Sequence, residues 1–174
     1  MKTKQLTINA MLAAMCAVLG YVSLDMGNIK ITFESVPVLL AAVLFGPVDG
    51  MLVGGVGTLI YQLIRYGVSA TTPLWILPYI LCGLVAGLWA KKGHFNLGRR
   101  QMVALVTVAE FLIFAVNTVV IYLDSKIYGY YSFAYVFGAF GVRFILCIVQ
   151  SVVFGLALPG LIAVIKNVSR QEAE

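Results

Sequence analysis

Glu110 and Arg143 each lie within a long apolar run of the sequence. A charged side chain in hydrocarbon costs about 2.5–3.5 kcal/mol on insertion scales, so such residues usually face a partner or a polar cavity. Asn117 follows Glu110 by seven residues, which places both on one face of a helix. A buried guanidinium and a nearby amide can bind a small anion through charge-assisted hydrogen bonds. These residues therefore predict a polar binding cavity inside an apolar protein.

Further cationic and aromatic residues lie near the same ends of the apolar runs. Aromatic faces allow stacking and cations bind a carboxylate, so together they suit a small polar molecule. The sequence predicts that seven side chains bind a substrate: Arg65, Trp75, Tyr79, Asn117, Lys126, Tyr128 and Arg143.

Other interpretations of these residues remain open. An aromatic belt at a membrane interface explains the tyrosines and the tryptophan equally well. A structural ion pair with Glu110 or Asp124 is the alternative for Arg143, and snorkelling to the interface is the alternative for Arg65. A hydrogen bond to a neighbouring helix is the alternative for Asn117.

The sequence contains no catalytic or metal-binding constellation. Its one histidine, His94, lies in a basic loop, and the HExxH, GxSxG and GxxxxGK[ST] motifs are absent. Cys16, Cys82 and Cys147 all lie in apolar stretches, which favours buried hydrophobic side chains over a disulfide or a metal site. We therefore expect no enzymatic activity, no cofactor and no metal, and the chain cannot hydrolyse ATP by itself.

The composition indicates that lipid surrounds the elements that position these residues. Of 174 residues, 61% are hydrophobic and 11% are charged, and the mean hydropathy is +0.99. A soluble domain carries roughly a quarter charged residues, so a soluble enzyme, a disulfide scaffold and a disordered protein are excluded. The net charge is +5, and the charged residues lie at the edges of apolar runs. This placement favours anionic lipid over nucleic acid as the partner of the basic residues.

Hydrophobic runs predict an all-α integral membrane protein, with a single domain over 1–174 and six transmembrane helices. Crossing the hydrocarbon takes about 20 residues, so the second and third spans are short and are expected to tilt or to be sheltered by neighbours. The sixth is longer than crossing requires. The expected spans are 6–24, 34–46, 51–66, 74–90, 102–123 and 134–165.

Lysine and arginine positions predict the topology. With the N-terminus inside, eight cations lie on the cytoplasmic side and three lie outside. The positive-inside rule therefore predicts a multi-pass protein of the cell membrane with both termini in the cytoplasm. The first apolar run ends without a convincing cleavage site, so we expect a retained helix rather than a signal peptide. The inner cations are Lys2, Lys4, Lys91, Lys92, Arg99, Arg100, Lys166 and Arg170, and the outer ones are Lys30, Arg65 and Lys126.

Small residues four apart mark faces where another helix can approach closely. Such pairs occur on the first, third and fourth spans, as Ala10 with Ala14, Gly50 with Gly54, and Gly83 with Gly87. The alanine pair lies at the cytoplasmic end of its span, where a partner protein can dock.

Three segments give the whole chain a family resemblance. They are the Ala10/Ala14 pair, the segment Leu44-Phe45-Gly46-Pro47-Val48-Asp49-Gly50 with its glycine-rich continuation to Gly57, and Asn117-Thr118 followed by Asp124. With these features the chain resembles the substrate-binding S components of energy-coupling factor (ECF) vitamin transporters.

The resemblance implies an ABC-type importer in which this chain captures a vitamin outside and delivers it inward by toppling in the membrane. It implies a complex with a transmembrane coupling subunit, EcfT, and two cytoplasmic ATPases, with Ala10 and Ala14 facing the coupling helices. It also implies that segments 25–33, 66–73 and 124–133 gate an outward-facing site.

The identity of the vitamin does not follow from the motifs. Arg65, Lys126 and Arg143 favour an anionic ligand, which fits pantothenate and folate alike, and cobalamin stays open. Two other classes of function also stay open. One is a solitary secondary transporter or channel that uses Glu110 and Arg143 as an ion-coupled pair. The other is a small membrane enzyme or assembly protein, which the lack of a catalytic cluster disfavours.

Overall fold

A computed structural model describes residues 3–26 and 29–171. Residues 27 and 28 of the predicted gating segment 25–33 lie outside the described residues, as do Lys2 and the side chains of Lys166 and Arg170. The elements in chain order are α1 (Thr3–Tyr21), β1 (Leu24–Met26), β2 (Ile29–Ile31), α2 (Ser35–Phe45), α3 (Pro47–Tyr66), α4 (Thr72–Lys92), α5 (Arg99–Ile127), α6 (Phe133–Phe137) and α7 (Phe140–Gln171).

The predicted six-helix membrane bundle is confirmed, with a difference at its sixth span. Within the described residues, α3, α4, α5 and the stretch Phe133–Ile165 are long and apolar enough to cross a membrane. The less apolar α1, of 19 residues, and the short apolar α2 complete the six. The sixth span begins as the separate short helix α6, and Gly138 and Ala139 separate it from α7. The Ser132 hydroxyl caps α6 by accepting a hydrogen bond from the Tyr135 amide.

The polar segment after the first helix forms an antiparallel β-hairpin, where the sequence indicated a loop. Leu24 pairs with Ile31 and Asp25 pairs with Lys30. Because the helices alternate in direction, this hairpin shares one end of the bundle with the 67–71 connection and with residues 128–139. We call this end the hairpin end. The opposite end carries the 93–98 connection and the basic residues that flank it.

Helix α2 forms the centre of the bundle. It has only 11 residues, and eight of them are buried. It packs against α1, α3, α4 and α7, so its backbone polar groups are shielded from lipid. This arrangement explains how so short an apolar helix is accommodated, as the sequence led us to expect.

Helices α3 and α4 touch through glycines. A Cβ on Gly83 would collide with the Gly50 backbone, and one on Gly87 would collide with the Pro47 backbone. The two glycine pairs noted in the sequence therefore serve packing within this chain. By contrast, Ala10 and Ala14 on α1 are exposed.

We expect Gly83→Ala to destabilise the bundle by about 1–3 kcal/mol, because the added methyl forces two backbones apart. Thermal unfolding in detergent measures the effect. Gly160→Ala is the matched control, since Gly160 also lies in a helix but has open space where its Cβ would be. Equal melting temperatures for the two variants would contradict this account of the α3–α4 contact.

A buried carboxylate fixes α1 on α3 at the opposite end. Asp49 lies in the first turn of α3, where the helix dipole favours a negative charge. It accepts hydrogen bonds from Gln5, at 3.0 Å, and from Asn9 of α1. This contact holds the face of α1 that carries Ala10 and Ala14 in a defined orientation.

Candidate ligand-binding site

A cavity of about 170 Å³ lies inside the bundle toward the hairpin end. Helices α2, α3, α4, α5 and α7 all contribute to its wall, and polar groups of both charges face it. Its lining residues are Lys30, Thr32, Ser35, Thr58, Gln62, Tyr66, Trp75, Tyr79, Glu110, Ile113, Phe114, Asn117, Ile121, Tyr135, Arg143, Leu146, Cys147 and Gln150.

Helical periodicity explains the two main walls. Each of α5 and α7 presents residues spaced three or four apart, the spacing of one helix face. Ring contacts hold these walls together, since the centroid of Phe114 lies 5.1 Å from that of Phe140 and 5.9 Å from that of Phe144. The α5 stripe is Glu110, Ile113, Phe114, Asn117 and Ile121, and the α7 stripe is Arg143, Leu146, Cys147 and Gln150.

Arg143 presents unpaired donors at the cavity. Its Nη2 donates to the carbonyl oxygen of Val136, whereas its buried Nε and Nη1 have no hydrogen-bond partner among the described residues. It forms no ion pair with Glu110 or Asp124, so the structural ion pair considered as an alternative is absent in the described part of the chain. Nε and Nη1 lie on different edges of the planar guanidinium, so each can donate a charge-assisted hydrogen bond to an acceptor of a ligand.

A polar cluster attaches the hairpin to the helices around the cavity. Lys30 Nζ lies 2.9 Å from Glu34 Oε2 and 3.9 Å from the centroid of the Tyr61 ring. The Tyr79 hydroxyl donates to the same Glu34 oxygen at 2.5 Å. Glu34 is fully buried and Lys30 is partly exposed, and their ion pair ties β2 to the wall of the cavity.

Asp124 holds the segment after α5 in place. Its carboxylate accepts hydrogen bonds from Trp75 Nε1, at 3.3 Å, and from the Tyr130 hydroxyl. Burial, together with the hydrogen bond to Asp124, raises the pKa of Tyr130, so this hydroxyl stays protonated and keeps donating. The predicted gating segment 124–133 is therefore tied to α4 through a cavity-lining tryptophan.

The structure brings together four of the seven predicted site residues. Trp75, Tyr79, Asn117 and Arg143 all line the cavity. For Asn117, this position favours a cavity role over a purely interhelical one.

The other three predicted residues lie outside the cavity lining. Arg65 donates to the carbonyl oxygen of Tyr21 at 3.3 Å. The Lys126 ammonium lies 4.1 Å from the ring centroid of Tyr131, and Tyr128 is half exposed. Their part in binding a ligand stays a prediction.

Sequence reasoning did not assign several lining residues to the site. From the sequence, Lys30 is predicted only to be an outer cation, although it lies in a polar segment near Glu34. Gln62 and Gln150 interrupt apolar runs as Asn117 does, so their polarity also marks them as candidate site residues. Gln150 also donates to the carbonyl oxygen of Thr32 at 2.8 Å, which ties α7 to the segment after the hairpin.

Similarity to known proteins agrees with this architecture. The family model described as "ECF transporter, substrate-specific component" matches residues 4–169. A UPF0397 protein in two strains of Streptococcus thermophilus is 30% identical over 80 residues, which is 46% of this chain and 43% of that protein. The chain thus aligns with less than half the length of those relatives.

Two solved structures share the fold. The S component of a bacterial ECF transporter aligns with 95% of this chain and 99% of its own, at 26% identity and a TM-score of 0.68. FolT bound with folic acid aligns with 91% of this chain and 90% of its own, at a TM-score of 0.70, and its 21% identity supports the fold alone. With its polar cavity inside a helical membrane bundle, the chain belongs to the family of substrate-specific S components of ECF transporters.

Proposed function

We propose that the chain captures a small anionic vitamin from outside the cell for an ECF-type importer. The observation that carries this proposal is the pair of buried, unpartnered donors on Arg143, a residue that lines a cavity near the hairpin end. A carboxylate that binds there accepts a charge-assisted hydrogen bond from one of these donors. Trp75 and Asn117 then hold the rest of the molecule.

Cavity size bears on the choice between the two candidate vitamins. The volume of about 170 Å³ is below the roughly 300–1,000 Å³ of typical ligand pockets. Pantothenate requires less opening of the bundle than folate, so the volume favours pantothenate. The similarity to FolT concerns the fold and does not decide between them.

Transport needs an energy source that this sequence does not encode, since it lacks a nucleotide-binding P-loop. We propose that EcfT and two ATPase subunits supply it, and that the loaded S component docks on EcfT through Ala10 and Ala14. Both alanines are exposed, and the Asp49 contact fixes the helix that carries them. The cation distribution supports a multi-pass orientation with both termini cytoplasmic.

The alternative of a solitary ion-coupled transporter has less support. Glu110 and Arg143 line the same cavity, but no ion pair joins them in the described residues, and each keeps unpartnered polar atoms. Unpartnered polar atoms of this kind suit the binding of a polar ligand better than a preformed charge pair.

Native mass spectrometry of the tagged protein, purified from its own host, tests the proposal. We expect a retained small acid, together with a membrane coupling subunit and two ATPases. Transport of pantothenate or folate by the purified chain alone, in liposomes without ATP, would contradict the proposal and support the solitary transporter.

A further inference from the structure

Glu110 is a buried carboxylate with an open acceptor at the cavity. It is 4% exposed, and it lines the cavity from the middle of α5. The Ser35 hydroxyl, at the start of α2, donates a hydrogen bond to it. Its Oε1 atom has no hydrogen-bond partner among the described residues. No cation among the described residues forms an ion pair with it. Lys30, which lines the same cavity, pairs with Glu34 instead.

This environment is costly for a carboxylate. A buried polar atom without a partner costs the desolvation energy that a hydrogen bond would have recovered. A ligand group that donates to Oε1 removes this cost. The lone Ser35 hydroxyl leaves room for that second donor, and Glu110 lines the cavity in which a ligand would lie.

Glu110 and Arg143 lie at different depths of the cavity. Helix α7 runs inward from the hairpin end, so Cys147 lies one turn deeper than Arg143. Arg143 lies in the first turn of α7, whereas Glu110 lies about four turns of α5 inward from Asp124, which is near the hairpin end. The open carboxylate oxygen therefore lies deeper in the bundle than the unpaired donors of Arg143.

We infer that the ligand is bifunctional, with an acid group on Arg143 and an N–H or O–H donor at its other end on Glu110 Oε1. This inference rests on the proposed function and narrows its substrate class. It excludes acids whose far end is purely apolar or carries acceptors only.

Matched pairs of acids test the inference by titration of the purified protein in detergent. Benzoate and 4-aminobenzoate differ by one amine, and lipoate and biotin share an acid tail but differ in the N–H donors of the distal ring. Pantothenate and folate complete the set as candidate ligands. We expect the donor-bearing member of at least one pair to bind about tenfold or more tightly than its partner, the gain of a hydrogen bond to a charged group.

Replacement of Glu110 separates its role from that of Arg143. In Glu110→Leu the preference for the donor-bearing acid should fall to about one, while affinity for the plain acid is kept. Glu110→Gln keeps an acceptor oxygen and should retain part of the preference for the donor-bearing acid. It provides the test if Glu110→Leu does not fold.

Two results would overturn the inference in distinguishable ways. Equal binding within both pairs by the wild type, or an undiminished preference in the Glu110 variants, refutes the role of Glu110 and leaves the proposed anionic site intact. Failure of all six acids to bind the wild type refutes the proposed function, and the inference falls with it.

Discussion

Replacing Arg143 with methionine is expected to lower the affinity for the anionic ligand by about 100-fold or more. Methionine keeps much of the volume but removes the buried Nε and Nη1 donors. Loss of the cation and of a charge-assisted hydrogen bond in a water-poor site costs several kcal/mol. The measurement is the amount of small acid retained per mole of purified protein, by mass spectrometry of the denatured extract.

Two further variants sharpen this test. Arg143→Lys keeps the charge but loses the planar guanidinium and its fixed donors, so an intermediate loss is expected. Arg100→Met removes an exposed cation at the opposite end and should leave retention unchanged. If Arg143→Met retained the acid at the wild-type level, Arg143 would have no place in the binding site.

Replacing Ala10 or Ala14 with tryptophan is expected to abolish uptake while leaving ligand retention intact. Both alanines are exposed on α1, beside Met11, which is also exposed. Small side chains allow close approach of a partner helix, and an indole at this face prevents it. Cellular uptake measures transport, and co-purification of the coupling subunit measures docking. The ligand that the purified protein retains measures binding.

The control for this pair lies on a different helix. Ala157 on α7 is likewise exposed, and α7 packs against α5. Ala157→Trp should therefore leave both docking and uptake unchanged. Loss of ligand retention with docking preserved in the Ala10 or Ala14 variant would show that this face of α1 does not serve the partner.

Much of the architecture could be predicted because lipid imposes a simple rule on the sequence. Each span must satisfy its backbone internally, so apolar length and intervening polar residues reveal the helices. The same reasoning singled out Arg143 and Asn117, whose polarity conflicts with their apolar surroundings. Their shared cavity follows from helical periodicity on α5 and α7.

The missed features depend on contacts between distant segments. The hairpin of β1 and β2 is too short for a recognisable strand pattern, and the ion pair of Lys30 with Glu34 helps to hold it. Arg65 and Lys126 have the right charge for the site, but neither lines the cavity. Arg65 reaches the carbonyl oxygen of Tyr21 instead, although Tyr66, the next residue of α3, does line it. Side-chain direction at a helix end depends on tertiary packing, which charge and spacing do not determine.

Cysteine labelling in intact cells tests most directly whether the cavity opens to the outside. Val68 lies in the connection at the hairpin end and is 89% exposed, while Asn96 is exposed at the opposite end. The native cysteines are buried, so their background labelling is low. We predict that a membrane-impermeant maleimide labels Val68→Cys in intact cells and labels Asn96→Cys only after permeabilisation. The reverse pattern would place the hairpin end in the cytoplasm and contradict capture of a ligand from outside.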